Sequence, residues 1–167
     1  MRIIDGLIAE LEHEAKSTAR VLARVPQEHL AWKPHPKSFS LGQLALHIAT
    51  VPGNVAALAA RDNSEPSSFF QAEATTTSEL LPALDASVAK VREHLGAFDD
   101  AKMHATWRLV AGGREILAMP RVAFVRAIVL NHWYHHRGQL LVYLRLLDVP
   151  VPSVYGPTAD ENPFALG

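Results

Sequence analysis

The stretch at residues 122–146, VAFVRAIVLNHWYHHRGQLLVYLRL, carries a helical pattern with histidines inside it. Counted in heptads, its a and d positions hold Val122, Val125, Val129, His132, His136, Gln139, Tyr143 and Leu146. Apolar residues at such positions normally form the core-facing side of a helix. His132 and His136 thus occupy positions where leucine or isoleucine would fill a core, which predicts buried imidazoles.

The spacing of His132 and His136 predicts a shared metal ion. Helical residues four apart lie on one face with Cβ atoms about 5–6 Å apart, so both imidazoles can reach one ion at about 2.0–2.1 Å. An unpaired buried polar group costs about 2–7 kcal/mol, so the two rings need a partner. The alternative is a pair of core imidazoles that bond to other side chains or to water.

His47 and His135 are the further candidates for this site. A catalytic metal site usually has three protein ligands, and His47 lies on the inward side of another predicted helix. The alternative for His47 is a residue at the edge of its helix stripe that bonds to solvent. His135, at a flanking heptad position, is the candidate catalytic residue, as an acid/base group or as a residue that orients a ligand. Its alternative is a contact at an interhelical seam.

The remaining polar residues receive simpler interpretations. We expect five histidines on the surface: His13, His29, His35, His94 and His104. Glu10 and Glu14 could approach the site as a base, but we expect them on a solvated face of the first helix. Arg137 either contacts an anionic ligand or pairs with a carboxylate between helices, and Gln139 and Tyr143 are expected to line the space below the metal.

The second helix has the clearest start signal in the chain. Ser40 followed by Gln43 forms a capping box, with Phe39 and Leu44 as the accompanying hydrophobic pair. The apolar spacing resumes in phase after Pro52, so we expect a kink there rather than an end.

Two further helices are predicted at residues 3–25 and at about 78–98, separated from each other by the second helix and a polar crossover loop at 62–77. The fourth helix runs from about Pro120, a residue favoured at the first helical position, to about Leu147.

The glycine pair at 112–113 lies between two short β-prone runs, which predicts a hairpin. We therefore expect an all-α fold, a four-helix bundle with a long crossover between helices 2 and 3 and a small β-hairpin before helix 4. Such bundles build metal sites from side chains on facing helices. The length of 167 residues predicts one domain over residues 1–167.

Composition excludes several classes of function. The net charge of −1 gives no electrostatic basis for nucleic-acid binding, and no stretch predicts a membrane span. The chain has no cysteine, which excludes a thiol nucleophile and leaves histidine or carboxylate as metal ligands. Without a recognisable signal segment, we expect a cytoplasmic protein.

The histidine residues, together with other segments, resemble the DinB family and its YfiT-like metal-dependent hydrolase relatives. The similar segments are His47, HHRGQL at 135–140, YGPTAD at 155–160, WKP at 32–34 and SFSLGQL at 38–44. The resemblance implies a four-helix bundle, often a homodimer, with a divalent metal ion bound by His47, His132 and His136. Some members of that family are S-transferases that use mycothiol, bacillithiol or glutathione.

These observations predict a metal-dependent enzyme of thiol S-transferase or hydrolase type. Its ion is expected to be zinc or nickel, with iron or copper as other candidates, since imidazole ligands suit all four. The expected partners are a small-molecule substrate, such as a low-molecular-weight thiol, and a second copy of the chain. The alternatives are a non-catalytic metal-binding stress-response protein and a helical interaction module.

Overall fold

The computed structural model describes residues 1–66 and 71–165. Its helices are α1 (Ile3–Leu22), α2 (Leu41–Ala59), α3 (Leu80–Leu95), α4 (Asp100–His104), α5 (Arg121–Phe124) and α6 (His132–Leu146). A π-helical segment at Val125–Asn131 joins α5 to α6, and 3-10 turns occupy Gln27–His29 and Thr77–Glu79. The strands are β1 (Asn63–Ser64), β2 (Thr106–Ala111) and β3 (Arg114–Pro120). The described chain is mostly helical with a small three-stranded sheet, and the four-helix bundle stays a prediction.

Helix α2 is the central packing element, in contact with both α3 and α6, while α1 packs on α3. Among the described helices, α2 has the length and composition of a membrane span, with a mean hydropathy of 1.2. However, 67% of that window is buried inside the protein, as in an ordinary core helix.

The predicted start of α2 is confirmed. The Ser40 hydroxyl accepts a hydrogen bond from the Gln43 amide at 3.1 Å, and the Gln43 side-chain oxygen accepts one from the Ser40 amide at 3.0 Å. These two bonds satisfy backbone donors that have no partner within the helix. The helix continues through Pro52, as its apolar spacing predicts.

The last helix differs from its predicted register. Val125 and Val129 are buried as expected. Downstream, the buried residues are Trp133, Arg137, Leu140 and Leu144. Each follows a predicted core position by one residue, because the π-helical segment Val125–Asn131 holds an extra residue per turn. His132 and His136 therefore lie half-buried beside the core, and the prediction of core positions for them was wrong.

The predicted hairpin is confirmed, with β2 antiparallel to β3. Gly112 and Gly113 have φ values of +56° and +75°, as a two-residue turn with a left-handed backbone requires. Strand β1 adds to this hairpin in parallel with β2. The fold is therefore mostly helical, as expected, with a three-stranded sheet in place of the hairpin alone.

The expectation of a solvated face for Glu14 was wrong. Its side chain accepts a charged hydrogen bond from Arg137 at 2.6 Å, and Glu14 is only 9% exposed. The Tyr155 hydroxyl, from the carboxyl-terminal segment, donates to the same carboxylate at 3.0 Å. Glu10 likewise pairs with Arg126 at 2.7 Å. A carboxylate between helices is thus the partner of Arg137.

The crossover between α2 and α3 covers residues 62–77, of which 67–70 lie outside the described residues. The part at 71–74 lies against the amino-terminal end of α2, where the Ala74 amide donates to the Gly42 carbonyl at 3.4 Å. This contact brings the crossover close to the histidine on α2.

Candidate metal centre

His47, His132 and His136 come together between α2 and α6. The ring centroids of His136 lie 4.5 Å from those of both His47 and His132, and the His47 and His132 centroids are 5.5 Å apart. One ring nitrogen from each residue lies within 4.8 Å of the others. Three imidazole nitrogens this close together are a ligand set that one zinc ion could share.

A hydrogen bond between the two helices explains why these rings meet. The Trp133 indole donates to the backbone carbonyl of Ile48 at 2.8 Å, in the buried interior. Trp133 follows His132, and Ile48 follows His47. The bond therefore fixes the turns that carry the two histidines side by side.

The three imidazoles favour the neutral state. Burial is the main cause that lowers the pKa of His47 and of His132. Burial also lowers the pKa of His136 to about 4, although its hydrogen bond with Gln139 opposes the shift. Neutral imidazole is the form that binds metal ions, so no proton has to be displaced at neutral pH.

Two side-chain amides orient the rings. The Gln71 oxygen lies 2.6 Å from Nδ1 of His47, and the Gln139 oxygen lies 2.8 Å from Nδ1 of His136. An amide oxygen only accepts hydrogen bonds, so each Nδ1 carries the proton and each Nε2 carries the lone pair. Such contacts to the distal nitrogen are typical of metal-bound histidines.

The Nε2 atoms of His132 and His136 are 2.8 Å apart. Since Nε2 of His136 carries a lone pair, this close approach requires a cation or a shared proton between the two nitrogens. Two nitrogens bound to one tetrahedral zinc ion at the usual bond lengths lie about 3.3–3.4 Å apart, slightly farther than these two atoms. The donor set, with three imidazole nitrogens within 4.8 Å of one another, is of the kind that binds divalent ions.

The aromatic side chain of Phe39 packs against two of the imidazoles. The Phe39 ring lies 5.8 Å from that of His47 and 6.5 Å from that of His136. The Tyr143 hydroxyl donates to the Phe39 carbonyl at 3.3 Å, and the Tyr143 ring contacts Trp32 edge-on at 5.6 Å. Tyr143 thus contacts Phe39 rather than an imidazole. Gln139 contacts His136 directly.

His135 lies beside the three-histidine cluster but is not one of its three members. Its side chain is exposed, and its ring centroid is 5.1 Å from that of His136. The catalytic role of His135 stays a prediction. Four histidines expected on the surface are exposed, namely His13, His29, His35 and His104, whereas His94 is partly buried.

Sequence reasoning did not identify Gln71 or Phe39 as part of the site. Phe39 was assigned only to the start of α2, and Gln71 lies in a polar loop without periodicity. A loop residue carries no signal of its position in space, because that position depends on contacts with distant elements.

Comparison with known proteins identifies relatives over nearly the whole chain. The model of the DinB family matches residues 4–163. The uncharacterized protein YrdA of Bacillus subtilis (strain 168) is 23% identical over 168 residues, which cover 95% of this chain and 91% of YrdA.

Two crystal structures have similar folds. A DinB-like protein from Bacillus cereus ATCC 10987 is 25% identical with a TM-score of 0.70, over 91% of this chain and 97% of that protein. The DinB-like protein YjoA from Bacillus subtilis is 19% identical with a TM-score of 0.67, over 89% and 96% of the respective chains. The mostly helical fold with its small sheet is thus shared with these proteins.

Proposed function

The chain belongs to the DinB family, and we propose that it is a metal-dependent enzyme whose divalent ion is bound by His47, His132 and His136. The proposed ion is zinc or nickel, with iron or copper as the other candidates. It would lie between α2 and α6 of a four-helix bundle formed by the long helices α1, α2, α3 and α6.

One observation carries the proposal, namely that one ring nitrogen from each of His47, His132 and His136 lies within 4.8 Å of the other two. Hydrogen bonds to Gln71 and Gln139 hold the Nδ1 atoms of His47 and His136 away from the centre of the cluster. Three neutral imidazoles leave the full charge of a divalent ion uncompensated, so the ion retains its strength as a Lewis acid.

A divalent ion bound by these residues would lower the pKa of a coordinated water or thiol and so supply a nucleophile at neutral pH. Because the chain has no cysteine, a thiol must come from a second substrate. The proposed reactions are therefore thiol S-transfer from a low-molecular-weight thiol to an electrophile, or hydrolysis.

The residues around the cluster suggest how a small substrate is bound. Phe39 contacts two of the three imidazole rings and offers an apolar wall that limits water. His135 is exposed beside His136, where we propose that it transfers protons to or from the substrate. We further propose a cytoplasmic homodimer.

A non-catalytic metal-binding protein is the second candidate. It is favoured by the position of the three histidines on two helices, α2 and α6, where an ion would link the helices and stabilise the fold.

Metal analysis of protein purified without a histidine tag tests ion binding. We expect about one equivalent of divalent metal in the wild type and a loss of most of it in His132→Ala. His104→Ala, which changes an exposed histidine outside the cluster, serves as the control and should retain the ion. Equal metal content in His132→Ala and the wild type would refute the assignment.

An activity screen separates the two candidate functions. The metal-loaded protein is incubated with alkylating electrophiles together with glutathione, bacillithiol or mycothiol, and with ester and amide substrates. Turnover that is lost in His132→Ala supports the enzyme. Absence of turnover with a fully loaded protein supports the stabilising role.

A further inference from the structure

We infer that Gln71, in the crossover between α2 and α3, is a positioning residue that sets the tautomer and orientation of His47 for metal binding. The inference rests on the proposed metal-binding function and extends it to a residue outside the histidine cluster. It assigns the crossover a part in the site, as the element that holds one ligand in place.

The hydrogen bonds of the Gln71 amide fix its orientation. Its nitrogen donates to the Ala72 carbonyl at 3.0 Å, which leaves the oxygen to face Nδ1 of His47 at 2.6 Å. Because that oxygen can only accept, the proton of the neutral ring lies on Nδ1 and the lone pair lies on Nε2. Gln71 thus selects the tautomer in which Nε2 is the ligand atom.

The backbone of this segment is held by the first turn of α2. The side-chain nitrogen of Gln43 donates to the backbone carbonyl of Gln71 at 3.3 Å. The side-chain oxygen of Gln43 accepts from the backbone amide of Ser40 at 3.0 Å. The Ser40 hydroxyl also donates to Glu73. The capping box that begins the helix therefore also positions Gln71.

Close packing at Gly42 adds to this attachment. A Cβ atom at that position would lie 3.1 Å from the Glu73 side chain, 3.2 Å from the Leu30 carbonyl and 3.3 Å from the Ala74 carbonyl. The Gly42 amide donates to the Leu30 carbonyl at 2.8 Å. The absence of a side chain thus lets Glu73 and Ala74 of the crossover lie directly on the helix that carries His47.

The experiment compares Gln71→Leu with Gln71→Glu in the full-length protein. Leucine is similar in size but lacks the oxygen that accepts the hydrogen bond from His47, whereas glutamate keeps an oxygen beside Nδ1 of His47. Gln27→Leu is the matched control, because Gln27 bonds to Thr75 and Thr77 of the same crossover and, in the described contacts, to no histidine.

Two measurements are made on each variant. Nitrogen-15 NMR of the metal-free protein reports the tautomer of His47, and competition with a chromophoric chelator reports zinc affinity. We expect the Nδ1-protonated tautomer in the wild type, Gln71→Glu and Gln27→Leu. In Gln71→Leu we expect a mixed tautomer and a loss of about 10- to 100-fold in zinc affinity, as is typical when such a contact to a ligand is removed.

The outcomes separate this inference from the proposed function. Unchanged zinc affinity and tautomer in Gln71→Leu would overturn the inference, and so would an equal loss in Gln27→Leu, which would indicate a general effect of the loop. If the wild type itself binds no zinc, nickel, iron or copper, the proposed function fails, and the metal-related part of the inference fails with it. In that case the NMR comparison still reports whether Gln71 sets the tautomer.

Discussion

Arg137 and Glu14 form an ion pair of 2.6 Å in the protein interior, with the Arg137 side chain only 2% exposed. The same guanidinium donates to the Tyr155 hydroxyl at 2.5 Å and to the Thr18 hydroxyl at 3.1 Å. It also lies over the ring of Tyr134 at 5.3 Å. One residue of α6 thus joins α1 and the carboxyl-terminal segment, on the side of the helix away from the imidazoles.

Removal of one partner of this pair is expected to destabilise the fold strongly. Glu14→Ala leaves a buried guanidinium without its counter-ion, which costs about 3–5 kcal/mol. Glu115→Ala is the control, since its pair with Arg108 is about half exposed and should contribute less than about 1 kcal/mol. Urea unfolding followed by circular dichroism measures both, and equal losses would contradict the assigned role of the pair.

Two helical glycines are expected to respond to alanine in opposite directions. A Cβ atom at Gly53 would lie 2.8 Å from the Ser87 carbonyl of α3, so Gly53→Ala should force α2 and α3 apart and cost about 1–3 kcal/mol. No atom lies within 4 Å of such a Cβ at Gly138. Gly138→Ala should therefore stabilise the protein by about 0.5–1 kcal/mol. Thermal melting measures both effects. A change of the melting temperature in the same direction in both variants would contradict this expectation.

The metal-free protein is expected to lose stability as the pH falls from about 6.5 towards 4. The pKa of His136 is lowered to about 4 by burial, and an unfolded histidine titrates near 6.5. The unfolded state therefore binds more protons in this range, which lowers the free energy of unfolding. Above about pH 6.5 both states are neutral at this residue and its effect is constant.

Urea midpoints at pH 7.5 and 5.0 measure this effect, and His136→Asn should show a smaller difference between the two values. The acidic groups with lowered pKa values, such as Asp62, titrate below this range. An identical pH dependence in the variant would exclude His136 as the cause.

Added zinc is expected to stabilise the wild-type fold by mass action. At a free concentration one hundred times the dissociation constant, one site contributes about 2.7 kcal/mol to the free energy of unfolding. The melting temperature should rise on titration and return after a chelator is added. A comparable rise in His47→Ala would show that the ion acts elsewhere.

Local signals in the sequence predicted much of the fold. Capping at Ser40 and the glycine pair at 112–113 each specify a backbone conformation by their own chemistry, and both are observed. Strand β1 has two residues and helix α4 has five, which is too short for a periodic pattern. Their formation depends on contacts that a sequence window does not contain.

The site was predictable to the extent that it lies on helices. The spacing of His132 and His136 and the inward side of α2 bring three rings together, as expected. The contact of Gln71 with His47 joins residues 24 positions apart, and the contact of Arg137 with Glu14 joins residues 123 positions apart. Neither residue type nor neighbouring sequence reveals such pairs.

The π-helical segment at Val125–Asn131 has a geometric consequence for everything after it. One residue advances an α-helix by about 100°, so winding the same residues of this segment as a regular α-helix would turn α6 about its own axis. The imidazoles would then swing into the interior, and Trp133 and Arg137 would leave it. The π-helical winding thus determines which of two chemically different sides of α6 enters the protein interior.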